Sequence, residues 1–175
     1  MKLFKYIRNT RIKMWKRNGL EVGENFNLER GAYIDSSFPW LIKIGNNVTI
    51  APEALVLSHD GSTKKVIGYS KIGNVTIGDN VFIGAKTVIL PNTEIGNNVI
   101  IGASSVVSGR FPDGVVIAGN PARILCSTEN FRNKHEELCN KKSKYGKEYL
   151  RKTITSERKE EMKNKLKDEC GGYII

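Results

Sequence analysis

An aliphatic residue recurs at every sixth position through the middle of this chain, and this period constrains the fold more than any other feature. A six-residue unit is too short for a pair of helices. It fits one short strand and one turn of a coil in which parallel strands stack about 4.8 Å apart. Three units then make one coil, so the pattern predicts an all-β solenoid, a parallel β-helix of hexapeptide repeats with a buried aliphatic column. The repeating positions are Val22, Leu28 and Ile34, then Ile44, Ile50 and Val56, then Ile77, Ile83, Ile89, Ile95, Ile101 and Val107.

The residues that follow the aliphatic positions favour the same fold. Gly and Asn or Asp come next in Ile44-Gly-Asn-Asn, Ile77-Gly-Asp-Asn and Ile95-Gly-Asn-Asn, and Gly and Asn tolerate the positive φ angles that corners require. The alternative is a β-sandwich of short strands, but sandwich strands alternate with period two and turn at irregular intervals. A fixed period of six therefore favours the solenoid.

The repeat is interrupted at 38–43 and at 57–71, and it does not extend to either end. Residues 1–20 are predicted to form a basic amphipathic helix, and residues 21–125 a β-helix domain with a loop at 57–71. Residues 126–175 are predicted to form a basic helical extension, with its second helix at Ser156–Glu169 and with His135 in a packing role.

The positive charge of the chain lies in its two ends. The 28 Lys and Arg against 18 Asp and Glu give a net charge of +10, yet residues 19–127 hold 8 basic and 9 acidic side chains. The β-helix therefore offers no basic face for a nucleic acid, and no nucleic-acid partner is expected. Two roles stay open for the N-terminal helix: it caps the end of the β-helix, or it makes a peripheral contact with an anionic membrane.

The cysteine and histidine content argues against disulfides and zinc. The three cysteines have no metal-ligand spacing, and the chain has only two histidines. No stretch has the roughly 20 apolar residues that span a bilayer, and residues 1–19 lack the continuous apolar run of a secretory signal. We therefore expect a cytoplasmic protein without a metal, with membrane association through the N-terminal helix as an addition.

Three stretches carry a resemblance to a known family. They are Val75-Thr-Ile-Gly-Asp-Asn-Val-Phe-Ile-Gly-Ala, Ile101-Gly-Ala-Ser-Ser-Val-Val and Ala118-Gly-Asn-Pro-Ala-Arg-Ile. Through them the region from Val22 to Leu125 resembles the hexapeptide-repeat acyltransferases, which include galactoside, maltose and polysaccharide O-acetyltransferases. The resemblance implies a left-handed coil, acetyl-CoA as acyl donor, no metal, and a homotrimer with active sites between subunits.

The resemblance also implies which residues act on the acyl donor. His59, the only histidine of the repeat region, lies where similar enzymes carry the general base that takes the proton of the acceptor hydroxyl. Ala85 and Ala103 match small residues that contact pantetheine through backbone groups. The other implied donor contacts are Ser108, Asn120, Arg123 and Arg110, the last in place of a lysine that relatives carry one residue earlier.

On the acceptor side the implied residues are fewer. Asp35, just before the first break, matches a position that binds sugar hydroxyls. Asp60 has three roles open: orienting the His59 ring, binding the acceptor, or facing solvent. Phe82 either lines the acceptor or thiol end of the tunnel or simply packs, and Trp40 either stacks on a sugar or covers the aliphatic column.

The predicted function is direct transfer of an acetyl group from acetyl-CoA to a hydroxyl of a sugar or polysaccharide precursor, with His59 as general base. A γ-type carbonic anhydrase, which shares this coil, needs three histidines on zinc and is excluded by the single histidine of the repeat region. The alternative is a β-helix protein that binds CoA without catalysis or that acetylates an amine.

Overall fold

The computed structural model describes residues 2–175, with side chains from residue 7 onwards. Clustering of contacts divides the chain into two compact units, residues 1–128 and residues 129–175. The helices are α1 Lys2–Arg17, α2 Lys64–Ile67, α3 Thr128–Lys141 and α4 Ser156–Glu169. The strands are β1 Glu21–Val22, β2 Asn27–Leu28, β3 Tyr33–Ile34, β4 Ile42–Ile44, β5 Thr49–Ile50, β6 Leu55–Val56, β7 His59–Asp60, β8 Lys71–Ile72, β9 Val75–Ile77, β10 Phe82–Ile83, β11 Val88–Ile95, β12 Ile100–Ile101, β13 Val106–Phe111, β14 Val115–Gly119, β15 Ala122–Ser127, β16 Lys144–Tyr145 and β17 Tyr173–Ile174.

The predicted repeat positions stack in parallel and in register, in three rows. The first row joins Val22, Ile44, Ile77 and Ile95. The second row joins Leu28, Ile50, Ile83, Ile101 and Ile117. The third row joins Ile34, Val56, Ile89 and Val107.

Side chains of the three rows meet inside the coils and form the core of the first unit. Every repeat position from Ile34 to Val107 is at most 2% exposed, so the aliphatic column predicted from the period of six is confirmed. Between the aliphatic positions lie smaller buried side chains such as Ala54, Thr87 and Ser105. Burial of apolar surface at about 25 cal/mol per Å² is the main stabilising contribution.

The corners show why the sequence places Asn and Gly after the aliphatic residues. Asn25, Asn47, Asn80 and Asn98 have φ angles between 53° and 56°, and their side-chain amides hydrogen-bond from coil to coil at 2.9–3.2 Å. A Cβ on Gly45 would lie 2.8 Å from the carbonyl carbon of the next coil. These corners therefore require residues that accept positive φ or a close backbone approach.

Helix α1 packs on the first coil. Trp15 is 1% exposed and belongs to the core, and its ring lies edge-on to that of Tyr33 at 6.2 Å. The guanidinium of Arg11 lies 4.8 Å from the centre of the Trp15 ring, and Arg8 donates to Asn27 at 2.9 Å. This packing corresponds to the capping role that the sequence left open.

The second unit consists of α3, α4 and the short parallel pair of β16 and β17. Its second helix has the bounds that the sequence predicts. Ser143 donates through N–H and Oγ to Glu169 at 2.7 Å. The His135 ring lies 4.3 Å from the Phe131 ring at a tilt of 44°, and its Nδ1 hydrogen-bonds Tyr173 Oη at 3.0 Å, in keeping with a packing role. Among the described helices of both units, none combines the length and apolar character needed to cross a bilayer.

Candidate active site

The candidate site forms where the first two coils stack. Ile34 pairs with Val56 in the third row, and the Asp35 N–H donates to the Val56 carbonyl at 2.9 Å. This pairing places Asp35 directly beside the segment that leaves the second coil. His59 lies on that segment, so stacking of the coils brings the two residues together although 23 residues separate them.

The Asp35 carboxylate is buried, and both of its oxygens accept hydrogen bonds. Its Oδ2 accepts from Ser58 N–H at 3.1 Å, Ser58 Oγ at 3.0 Å and His59 N–H at 3.2 Å, and also contacts His59 Nδ1. Its Oδ1 accepts from Ser37 N–H at 2.9 Å. The side chain is 0% exposed, so the protein alone supplies its hydrogen bonds.

These contacts determine which nitrogen of His59 is free. Burial raises the pKa of Asp35, but the hydrogen bonds from Ser37, His59 and Ser58 outweigh it and hold that pKa below its ordinary value. An ionised carboxylate can only accept, so the hydrogen of the neutral imidazole lies on Nδ1. Nε2 then carries a lone pair, and the His59 side chain is 35% exposed. This arrangement suits a general base.

A short hairpin holds the histidine at the base of the loop. β7 pairs with β8 in antiparallel fashion, with His59 opposite Ile72. The Gly73 N–H donates to the Ser58 carbonyl at 2.9 Å, which closes the loop. The backbone of the histidine is thereby fixed on both sides.

Two aromatic rings from the first break stand beside the histidine. The Phe38 ring lies 5.5 Å from the His59 ring and 5.6 Å from the Trp40 ring, each pair edge-on. The Phe38 carbonyl accepts from Ser58 Oγ at 3.2 Å. Trp40 is 59% exposed.

Four of the donor residues lie together at another corner, between the second and third rows. Ala103 lies one coil beyond Ala85, whose carbonyl accepts from Ser104 N–H at 2.8 Å. Within the described chain, the N–H groups of Ala85 and Ala103 donate no hydrogen bond. Beside them, Arg123 pairs with Ala118, which follows the second-row residue Ile117. Asn120 lies in the adjoining turn, before a cis Asn120–Pro121 bond.

The other sequence-assigned residues lie apart from that corner. Ser108 follows Val107 in the third row, on the same edge as Asp35. Arg110 lies beside Glu94 on the neighbouring strand and forms an exposed ion pair with it at 3.1 Å. Phe82 is exposed on β10 in the second row. Asp60 is exposed, and its carboxylate accepts from Ser62 N–H at 2.9 Å.

The comparisons with known proteins agree with this architecture. The family profile described as bacterial transferase hexapeptide (six repeats) matches residues 74–109. Protein CapG of Staphylococcus aureus is 37% identical over 173 residues, which cover 90% of this chain and 95% of CapG. The chain belongs to the hexapeptide-repeat acyltransferase family.

Solved acyltransferases share the fold. A hexapeptide-repeat acetyltransferase from Vibrio cholerae, solved with acetyl coenzyme A, is 26% identical, with a TM-score of 0.56 over 62% of this chain and 60% of its own. A maltose O-acetyltransferase from Clostridium difficile is 28% identical, with a TM-score of 0.54 over 68% of this chain and 75% of its own.

For Asp35 the geometry of this acyltransferase differs from the sequence prediction, and for Asp60 it speaks against one of the three open roles, that of orienting the His59 ring. Asp35 was assigned to the acceptor, but its carboxylate is buried against His59 and has no exposed atom with which to meet a sugar hydroxyl. Asp35 rather than Asp60 contacts the ring nitrogen, because neighbouring residues on a strand point to opposite sides. Sequence reasoning missed Ser58; the phase of the repeat, which pairs Ile34 with Val56, was the signal that could have found it.

The described residues contain no group of three or more His, Cys, Asp or Glu side chains placed to hold a metal ion. The candidate base thus has a carboxylate and aromatic rings around it, and a separate corner offers backbone N–H groups that donate no hydrogen bond within the described chain.

Proposed function

We propose that this acyltransferase transfers an acetyl group from acetyl-CoA directly to a hydroxyl of a sugar or polysaccharide precursor. The observation that carries the proposal is the bond between His59 Nδ1 and the buried Asp35 carboxylate, which leaves Nε2 free to accept a proton. The donor is inferred from the acetyl coenzyme A bound to the Vibrio relative, and the acceptor class from the maltose O-acetyltransferase.

His59 acts twice in the proposed reaction. Its Nε2 takes the proton of the acceptor hydroxyl while that oxygen attacks the thioester carbonyl. The imidazolium that forms is stabilised by the Asp35 carboxylate on Nδ1. When the carbon–sulfur bond breaks, the same Nε2–H returns its proton to the departing thiolate, so the products are an acetyl ester and free CoA.

The donor is proposed to lie along the corner of Ala85 and Ala103. Their N–H groups have no partner in the described chain and can donate to the amide carbonyls of pantetheine. Their small side chains let a ligand approach the backbone. Asn120 and Arg123 extend this corner, where the Arg123 guanidinium suits the phosphates of CoA. Ser108 and Arg110 are also proposed to contact the acyl donor. Phe82 is proposed to line the acceptor or thiol end of the tunnel.

A homotrimer is proposed because the two parts of the site lie on opposite edges of one row. Ala85 precedes the third-row strand of its coil, whereas His59 leaves the third row after Val56. The register of Val88 with Leu55 puts Ala85 level with Pro52, seven residues before His59, so at about 3.3 Å per residue the two edges are at most about 23 Å apart along the row. A neighbouring copy can bring its donor corner against His59, which is the arrangement that the family resemblance implies.

The three cysteines are free, in keeping with a cytoplasmic enzyme.

The first test compares the two histidines. We expect His59→Ala to lower kcat at least about 100-fold while the dissociation constant for acetyl-CoA stays unchanged, because only the proton transfer is lost. His135→Ala is the matched control and should leave kcat unchanged. Thiol release from acetyl-CoA with a sugar panel measures both variants.

An unaffected rate in His59→Ala would remove this histidine from the mechanism. Binding of acetyl-CoA without transfer to any hydroxyl, by the unmodified protein, would favour a CoA-binding protein or an amine acceptor.

A further inference from the structure

The exposed Trp40 is connected to the candidate base His59 through the ring of Phe38. Trp40 is 59% exposed, and its ring meets Phe38, whose ring meets His59, at 5.6 and 5.5 Å. A large aromatic surface left in water is unfavourable by about 25 cal/mol per Å². Its position next to Phe38, which contacts the partly exposed imidazole of His59, suggests a ligand surface.

The backbone holds this ring in place. Residues Pro39–Leu41 form a single 3₁₀ turn, and the Leu41 N–H donates to the Phe38 carbonyl at 3.1 Å. The same carbonyl accepts from Ser58 Oγ, which ties the turn to the segment of His59. On the other side, a Cβ at Gly19 would lie only 2.7 Å from Trp40 Cβ. The backbone that carries the indole is therefore held on both sides, and the ring itself meets Phe38.

Exposed hydroxyl groups precede the ring in the sequence. Ser36 and Ser37, four and three residues before Trp40, are exposed, and Ser36 Oγ bonds Tyr33 Oη at 2.9 Å. A flat aromatic face with neighbouring hydroxyl groups matches a ring sugar, which has C–H groups on one face and hydroxyls around its rim. The C–H groups carry partial positive charge and are attracted to the negative face of an indole.

We infer that Trp40, with Phe38 between it and His59, is the acceptor platform, and that the acceptor is a pyranose sugar whose C–H face lies on the indole. The inference requires that one hydroxyl of the stacked sugar reach Nε2 of His59. The inference rests on the proposed function for the identity of the reaction, but binding of the sugar to Trp40 is measurable without turnover.

Tryptophan fluorescence provides that measurement. The chain has two tryptophans, and Trp15 is 1% exposed in the core, so a change on ligand addition reports Trp40. We expect pyranosides of the gluco, galacto and N-acetylamino series to shift or quench the emission. Their open-chain alditols, with the same hydroxyls but no flat C–H face, should not. Trp40→Phe removes the reporter and should abolish the signal.

Kinetics provide the second measurement. We expect Trp40→Ala to raise the KM for the acceptor sugar at least about fivefold, with the KM for acetyl-CoA unchanged, because a stacked ring pair is lost. Trp40→Phe should restore most of the acceptor KM, which a merely structural role for the indole would not predict.

Each outcome decides something. No fluorescence change with any pyranoside, or equal changes with the alditols, overturns the platform. An unchanged acceptor KM in Trp40→Ala overturns it as well, and leaves the acetyltransferase proposal intact. A pyranoside-specific signal without acetyl transfer supports the platform and overturns the proposed function.

Discussion

The Asp35 carboxylate combines burial with ionisation, and this combination governs the candidate base. Five hydrogen-bond donors converge on its two oxygens. Their combined effect keeps the pKa of Asp35 below its ordinary value despite the burial that raises it. A carboxylate whose pKa is lowered by folding stabilises the folded state at every pH above its unfolded pKa.

The stability contribution of Asp35 should therefore depend on pH in a defined direction. We expect Asp35→Asn to lower the free energy of unfolding by about 2 kcal/mol at pH 7, because charge-assisted hydrogen bonds are weakened. The contribution is present above the unfolded carboxyl pKa of about 3.9 and is lost as the pH falls through the lower folded value. The difference between the two proteins should shrink below about pH 4. Denaturant titrations followed by tryptophan fluorescence measure it, since both tryptophans lie in the first unit.

Glu53→Gln is the matched control. Glu53 is an exposed carboxylate paired with Lys86 at 3.8 Å, so its removal should change stability by less than about 0.5 kcal/mol at each pH. A difference for Asp35→Asn that is constant from pH 7 to pH 3 would contradict the ionised, hydrogen-bonded state.

An individual residue could be predicted where its residue type is rare in the repeat region. His59 stands out because the repeat region has one histidine. The role of Asp35 was not predictable in the same way: its position relative to His59 depends on how the chain turns after Val56, and that segment lies outside the repeat. Ser58, two residues after Val56, could have been placed beside Asp35 from the pairing of Ile34 with Val56.

At the scale of elements, the period of six predicts the three rows, because inward-facing aliphatic side chains are removed from water only when they stack in register. The corners follow from Asn at positive φ and from Gly where the backbone of the next coil approaches closely. The antiparallel hairpin of β7 and β8 and the turn Pro39–Leu41 were not predictable. Both lie in the two breaks, where no periodicity constrains the chain and tertiary contacts decide.

Helix α1 has a second face that its packing leaves free. Trp15 is buried and Ile12 packs against the core, whereas Lys13, Lys16 and Arg17 are exposed. Met14 and Ile7 are about half exposed. We propose that this face contacts anionic lipid, since exposed cations beside apolar side chains suit a membrane surface.

The membrane contact predicts lipid-dependent flotation. We expect the protein to float with vesicles that contain phosphatidylserine and not with pure phosphatidylcholine. Lys13→Glu/Arg17→Glu should weaken the binding by at least about 30-fold, because each cation near the surface contributes about 1 kcal/mol and the new carboxylates are repelled by anionic lipid. These changes leave Trp15 in the core, whereas truncation of the helix would remove it.

Arg151→Glu/Lys152→Glu makes the same change of charge on exposed residues of the second unit and should leave flotation unchanged. Equal binding to neutral vesicles, or equal loss in both double variants, would contradict a specific contact through α1.

At the scale of the whole molecule, the site is proposed to need two copies of the chain. His59 and the corner of Ala85 and Ala103 lie on opposite edges of one row, so neither copy completes the site alone. This arrangement makes a prediction about mixtures of inactive variants.

We expect His59→Ala and Ala103→Trp each to abolish transfer alone, the second because an indole blocks the donor corner. After refolding or co-expression in equal amounts, most trimers contain both variants. Each mixed trimer then has one intact interface, so about a quarter of the unmodified activity should return. Acetyl transfer per subunit measures the recovery.

Two outcomes decide between the arrangements. Recovery near that value supports sites shared between subunits. Failure to recover any activity, with mixed trimers verified by mass spectrometry, would place the whole site within one chain.

The contact between Asp35 and His59 joins the first coil to the second. The backbones of the two coils are separated there by the spacing of stacked strands, about 4.8 Å. The pitch of the coil therefore sets the distance between Asp35 and His59. End coils of a stack have a neighbour on one side only and open more easily than the middle. If the proposed site is correct, separation of the first coil from the second breaks the contact between Asp35 and His59, and the packing of Trp15 from α1 on the first coil opposes that separation.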